Sequence, residues 1–441
     1  MLKISNVFLN KVIAFCATVF MIWTPELGEA SSYSGKTLKV LSFRDNHSDA
    51  VKRNLKKFES ATGAKVIFDA VASNTVAAKT ATDQLGGGSY DLYTVDEPFM
   101  PRLSTFFDEV SAWPDTTIYK KETEPDVFLK AALEGGSYLG KQYGIPVNGN
   151  VYMYVYRSDL FESKDEQIAF KARYGYSLSV PKTVKEFRDV AEFFTRPPKM
   201  YGFAPFTKKS EGTTVEAIWI LSTFGVDVFS SAGELVFDEG KAAKAFGFYK
   251  ELMGFAPRGA SSWHHAERMA RYSAGKIAQI MTWPSFVKGL EDPRKSLVVG
   301  KNKYGLPPAG ESGAPSPVAG SWTLAIPKSS KNKSLAAEFA RWWTGRDTSK
   351  ELVAFGMNPA RVDVLSDSQI LKSNPHFKGV LENFQKAKVR PRFQGYKEVS
   401  DKISTHFTAM IAGFSTPSAA ASALAKDLKM LTKKTKFSKA K

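Results

Sequence analysis

Histidine is the side chain that most often moves protons or holds a metal near neutral pH. This chain has five: His47, His264, His265, His376 and His406. None form an i,i+4 pair, and adjacent His264 and His265 point to different helix faces, so their spacing offers no metal site. Gly35-Lys36-Thr37 has the end of a phosphate loop, but position 30, where the first glycine is required, is Ala30. There is no G-x-S-x-G nucleophile elbow. The 44 acidic residues offer many pairs for sugar hydrolysis, but that chemistry depends on separation in space, which spacing along the chain does not give.

The aromatic and amide residues are more informative. Trp283 ends an apolar run and is followed by Pro284, and Trp322 stands in Gly320-Ser321-Trp322. A tryptophan at a strand end beside a turn offers a flat apolar face next to polar neighbours. That suits a sugar or polyol, whose C–H face stacks while its hydroxyls need paired donors and acceptors. Core packing is the plainer reading of each tryptophan, and it prevails for Trp342 and Trp343 inside a helical stripe. Asn148-Gly149-Asn150 makes a polar knot between the turn Gly144-Ile145-Pro146 and the aromatic run Val151 to Tyr156. Turn formation competes with ligand contact at both asparagines.

These residues need elements to hold them. TLKVLSF (Thr37 to Phe43), KVIFDAV (Lys65 to Val71) and YDLYTVD (Tyr90 to Asp96) read as strands, with helices between them that end at Gly63 and at Gly86-Gly87-Gly88. Strands alternating with helices predict a parallel α/β lobe, whose ligand end is the carboxyl edge of the strands. That edge carries Arg44-Asp45-Asn46-His47 and Asp96-Glu97, the latter pair also readable as a cap. Val151 to Tyr156 reads as a strand crossing into a second lobe. Thr183 and Glu186 form a capping box, Asp238 caps a further helix, and Ser418 is a candidate cap for the last one. Lys276 to Trp283 and Thr323 to Pro327 read as strands, and Gly/Pro breaks recur at Gly305-Leu306-Pro307-Pro308 and Gly356 to Arg361.

A chain of 441 residues predicts two or three domains. Lys3 and Lys11 flank an N-terminal region whose uncharged run, Val12 to Trp23, has 12 residues, and Gly28-Glu29-Ala30 follows. This predicts a signal peptide over 1–30 cut after Ala30; the run is short of the roughly 20 residues of a membrane span, which leaves an uncleaved anchor as the alternative. The single cysteine, Cys16, follows Phe15 and is not read as a lipidation site. A mature chain without cysteine has no disulfide, which suits a bacterial periplasm. The net charge is +17, and Lys426 to Lys441 contributes seven lysines against one aspartate. A solvated tail is the favoured reading of that end, an acidic partner or membrane surface the other. No nucleic-acid module is present.

Taken together and in order, these segments resemble the family 1 extracellular solute-binding proteins of bacterial ABC importers, the family that includes the maltose-binding protein. The resemblance rests on YGIPVNGNVYMYVYRSDLF, PKTVKEFRDVAEFF, FGVDVFSSAGELVFDEGKAAKAFGFYKEL, YSAGKIAQIMTW, GSWTLAIPKSSKNKSLAAEFARWWT, NPAR and Gly413 to Pro417, and it covers nearly the whole exported chain. Ser321 stands where family members often carry a second glycine, and Asn148-Gly149-Asn150 is not widespread among them.

The resemblance implies an α/β, two-lobe periplasmic binding protein fold of type II topology with three hinge crossovers. These fall near Pro146 to Asn150, Lys303 to Pro308 and Gly356 to Arg361, so that 31–147 plus 304–356 form one lobe and 148–303 plus 357–441 the other. It implies a monomer without cofactor or catalysis, whose ligand drives closure by its differential affinity for the closed state, which a transmembrane permease reads. The expected ligand is a carbohydrate or polyol. Arg44, Asn46, Asp96, Glu97 and Asn148 are its expected hydrogen-bond groups, Trp283 and Trp322 its stacking faces, and Arg361 a polar clamp. An anionic sugar derivative, favoured by the basic balance and Arg361, is the alternative within this fold, and an exported polysaccharide-active enzyme is the alternative outside it.

Overall fold

The computed structural model describes residues 33–114, 127–230 and 234–434. The expected signal peptide, Cys16 and the last residues of the basic tail, 435–441, lie outside the described residues.

The first lobe begins as its sequence pattern predicts. Strand β1 (Thr37–Phe43) is followed by helix α1 (Asn46–Thr62), β2 (Lys65–Val71), α2 (Ser73–Leu85) and β3 (Leu92–Asp96). Asp45 caps α1 by accepting from the backbone N–H groups of His47 and Ser48, and Gly63 ends it at φ 73°. Val51 and Phe58 on one helix face are buried in the lobe's core. β1 pairs in parallel with β2 along its whole length and with β3 on its other side.

The chain then leaves through β4 (Ile145–Pro146) into β5 (Val151–Arg157). Alternation on β5 sorts its side chains. Tyr152, Tyr154 and Tyr156 enter one core with Phe187 and Trp219, while Val151, Met153 and Val155 enter another with Ile277 and Ile280. The second lobe continues with α3 (Val184–Phe193), β6 (Tyr201–Phe203), α4 (Glu211–Thr223), α5 (Glu239–Leu252), α6 (His265–Ser273), β7 (Ile277–Thr282), β8 (Asn302–Gly305) and β9 (Val318–Ala319). Thr183 and Glu186 form their capping box at α3, and Asp238 caps α5. The sheet runs β8-β5-β7-β6, with β9 also on β5.

β10 (Trp322–Ala325) returns to the first lobe and inserts antiparallel between β3 and β4, giving the order β2-β1-β3-β10-β4. Helices α7 (Lys333–Thr344) and α8 (Arg346–Val353) follow there, and α9 (His376–Phe384), α10 (Tyr396–Ile411) and α11 (Pro417–Lys434) complete the second lobe. Among the described residues no helix is long and apolar enough to cross a membrane.

Two crossings lie later than expected. Residues 303–305 do not change sheet: β8 pairs antiparallel with β5, and Ala309 still bonds the second lobe at Lys182 and Val184. The change comes at Gly320-Ser321, between β9 and β10. Gly and Pro mark a break in an element, but not which sheet takes the chain up again. Likewise, 360–362 still runs beside 127–129, where Leu129 N–H donates to Ala360 O at 2.9 Å and Val362 N–H to Val127 O at 2.8 Å. The second lobe is regained at α9, whose Asn383 donates to Gly305 O at 3.0 Å. The cap of α11 is Thr416, which accepts from Ala419 N–H at 3.1 Å, and not Ser418.

The first two connections are bonded to one another, and the first also to the first-lobe segment that precedes the third. Val147 N–H donates to Trp322 O (2.9 Å), Gly149 N–H to Asn358 O (3.0 Å) and Gly320 N–H to Asn150 O (2.9 Å). Two glycines permit this approach. A Cβ on Gly149 would stand 2.8 Å from Pro359 O, and one on Gly320 2.4 Å from the Trp283 ring.

Candidate functional site

A cavity of about 850 Å³ lies between the lobes. From the first lobe it is walled by the carboxyl ends of β1 and β3, with Phe43, Arg44, Asn46 and Asp96, and by Trp322. This is the edge where a parallel sheet places its ligand. The second lobe contributes Trp283 and Phe286 after β7, the first turn of α4 with Glu211, and His265 of α6. Asn150 and Gly320 enter from the crossing strands.

Five of the eight expected site residues line this cavity. Trp322 stacks on Phe43, with ring centroids 4.2 Å apart and planes at 25°. Trp283 packs its ring over Gly320 and 5.1 Å from Tyr152. Arg44 donates to Ala70 O at 2.9 Å. Asn46 spans the lobes, its Nδ2 donating to Ser285 O at 2.7 Å. Asp96 faces Arg390.

The other three are placed elsewhere. Asn148 is fully buried and spends its Oδ1 on Trp322 N–H at 2.8 Å, tying two crossings together. Arg361 belongs to the first lobe, because the chain has not yet crossed: it pairs with Asp363 through two bonds of 3.0 Å and covers the Phe128 ring. Glu97 lies behind the wall, fully buried, turned from the cavity by its bonds to Arg390.

Arg390 organises the wall. Its guanidinium binds both oxygens of Asp96 and reaches Glu211 Oε1 at 3.0 Å and Glu97 Oε1 at 3.3 Å, so it bridges the lobes. Glu211 also accepts from Ser400 Oγ at 2.6 Å and from the Tyr396 hydroxyl. Arg390 is divided among three carboxylates, and Arg392 adds a second positive charge near Glu97. Burial therefore pushes Glu97 and Glu211 above the usual carboxylate range, with Arg390 opposing and Asp96 adding to the shift.

A carboxyl whose folded-state pKa is raised contributes stability below its unfolded value, near about 4.3 for Glu, and loses it as pH rises through the raised value. We expect Glu97→Gln to make stability fall less, or rise more, than in the native chain as pH climbs above about 4.3. The difference between the two slopes should approach about 1.4 kcal/mol per pH unit at its steepest. Urea unfolding at several pH values measures it, and parallel curves would count against the shared-charge account.

Arg390 and Glu211 were not singled out from the sequence, and His265 was weighed there only as a metal ligand. Arg390 meets Asp96 across 294 residues of chain, and no local motif carries that pairing. Asn150, undecided between turn and site, is the asparagine that reaches the cavity; it is 7% exposed and its Oδ1 has no partner. Among the described residues no group of three or more His, Cys, Asp or Glu could hold a metal ion. Asp96 and Glu211 share one nitrogen of Arg390, so neither stands as a free acid beside a free base, as glycoside hydrolysis requires.

Two α/β lobes of this strand order, joined by three crossings over a polar and aromatic cavity, define a protein that closes on a solute. Residues 44–350 match the model of the bacterial extracellular solute-binding proteins, and the chain belongs to that family. It is similar, at 25% identity over 364 residues, to a probable amino-acid ABC transporter periplasmic-binding protein of Sinorhizobium fredii, covering 80% of this chain and 79% of that one. It is 24% identical over 349 residues to the mannitol-binding protein of Pseudomonas aeruginosa, covering 78% and 76%. The fold matches that of an ABC transporter solute-binding protein from Agrobacterium radiobacter crystallised with ribitol, with a TM-score of 0.79 at 24% identity, covering 90% of this chain and 100% of that one.

Proposed function

We propose that this protein captures a neutral polyol or small carbohydrate between its lobes and presents the closed form, as a monomer in the periplasm, to an ABC permease. The observation that carries this reading is the cavity's lining. Two tryptophan faces, Trp283 and Trp322, flank buried polar groups that include the orphaned acceptor Asn150 Oδ1. The mannitol-binding relative and the ribitol-bound neighbour support a polyol.

An anionic sugar derivative fits less well. Arg390 is the buried cation of the wall, and three carboxylates already neutralise it. Arg361, the cation expected from the sequence to favour an anion, lies outside the cavity. Calorimetric titration with D-mannitol, ribitol, maltose and a hexose phosphate tests the reading. Binding of a polyol with little salt dependence is expected. Binding of the hexose phosphate alone, weakened by salt, would overturn it.

A further inference from the structure

His265 lines the cavity from the first turn of α6, and its imidazole is clamped between two rings, Phe206 at 4.3 Å and Phe286 at 4.7 Å. Its Nδ1 lies 3.1 Å from Nη2 of Arg268. A guanidinium has only donors and stays charged, so Nδ1 must accept. The proton of a neutral imidazole is then on Nε2, which has no hydrogen-bond partner among the described residues.

Arg268 is itself fixed. It is fully buried and donates from Nη1 to the Tyr152 hydroxyl at 2.8 Å. Tyr152 donates in turn to Glu216, which lies 3.7 Å from Arg268 and also accepts from the Tyr249 hydroxyl at 2.7 Å. The chain of contacts from Glu216 through Arg268 leaves the His265 ring one tautomer and one orientation.

We propose that His265 is a specificity-determining residue of this cavity, a fixed donor whose Nε2–H meets an uncharged oxygen acceptor of the solute, with Arg268 as its positioning residue. The inference rests on the solute-binding reading above and narrows it: the solute presents a hydroxyl, ether or carbonyl oxygen at that point, and an ammonium group there is refused.

The charged and titratable groups around the ring agree. Arg268 and His264 stand on its own helix, Glu216 of α4 and Tyr152 of β5 lie behind Arg268, and Lys208 stands near His264. Burial, then the Arg268 charge, holds His265 well below the usual histidine range, so it stays a neutral donor where free histidine would titrate.

Two measurements on the full chain test this. The first is nitrogen-15 histidine spectra, with His265→Gln assigning the signal. The neutral Nε2–H signature should persist unchanged between pH 5 and 8. An Nδ1–H signature, or titration near the ordinary value of about 6.5, overturns the proposal. The second is D-mannitol titration. His265→Phe keeps a ring without a donor and should weaken binding about tenfold to a hundredfold, while His265→Gln, which restores an amide donor, recovers most of it. Equal affinity in His265→Phe and the native chain overturns the donor role.

Arg268→Met should release the tautomer and let the signal titrate. Where that variant leaves Glu216 too costly to fold, Arg268→Met with Glu216→Gln carries the same expectation. A native chain that binds no polyol overturns the ligand reading, and the spectra still decide the tautomer.

Discussion

Arg390→Met is expected to lower the stability of the folded chain by about 3–5 kcal/mol, the usual consequence of removing one partner from a buried ion cluster. The guanidinium is 3% exposed and touches Asp96, Glu97 and Glu211. Methionine fills much of the volume but takes the shared cation from three carboxylates, leaving Arg392 near Glu97 alone. Either they take up protons or the lobes part to admit water. The loss should therefore be largest near neutral pH and shrink as pH falls. Adding Asp96→Asn and Glu211→Gln to the same chain should recover a large part of it. Urea unfolding of the native, single and combined variants gives the comparison. A single variant within about 1 kcal/mol of native would mean that the cluster is screened by solvent and does not hold the lobes together.

Trp322→Ala should act on both stability and binding. The side chain is 7% exposed and lies face to face with Phe43 in the first lobe's core. Emptying that volume costs about 3–5 kcal/mol for a large aromatic residue. The ring also borders the cavity, so D-mannitol affinity should fall by more than tenfold. Trp322→Phe keeps an aromatic pair worth about 0.5–1.5 kcal/mol and should restore most of the stability while recovering the affinity only partly. Thermal unfolding and calorimetry on the two variants separate these effects. Unchanged affinity in Trp322→Ala, with the protein folded, would remove this ring from the binding surface.

What could be read in advance divides along a physical line. Alternation, capping and helix-stopping glycines act over a few residues, so β1 to β3, α1, α3 and α5 were legible. The cavity-facing positions of Arg44, Asn46, Asp96, Trp283 and Trp322 followed from strand ends and turns. Arg390 and Glu211 gave no such sign, because their meaning lies in partners some 180 to 290 residues away. Asn148 and Asn150 have the same chemistry and nearly the same address. Which one faced the cavity depended on where β10 came to lie, since Trp322 N–H takes Asn148. Arg361 was misplaced for a related reason: its break in the chain was visible, but its lobe was not.

The mutual bonding of the first two crossings has a mechanical consequence. A single strand between two bodies behaves as a universal joint, free to twist as well as to bend. Two crossings fastened side by side at Val147 and Gly320, the first also held through Gly149 to the first lobe, form a flat strap that resists twisting more than bending. A jaw on such a strap can swing but cannot wander sideways. Each time it shuts, Arg390 arrives opposite Asp96 and Asn46 opposite Ser285, so the alignment of the mouth is set at the back of the molecule, by backbone bonds and the Asn148 amide.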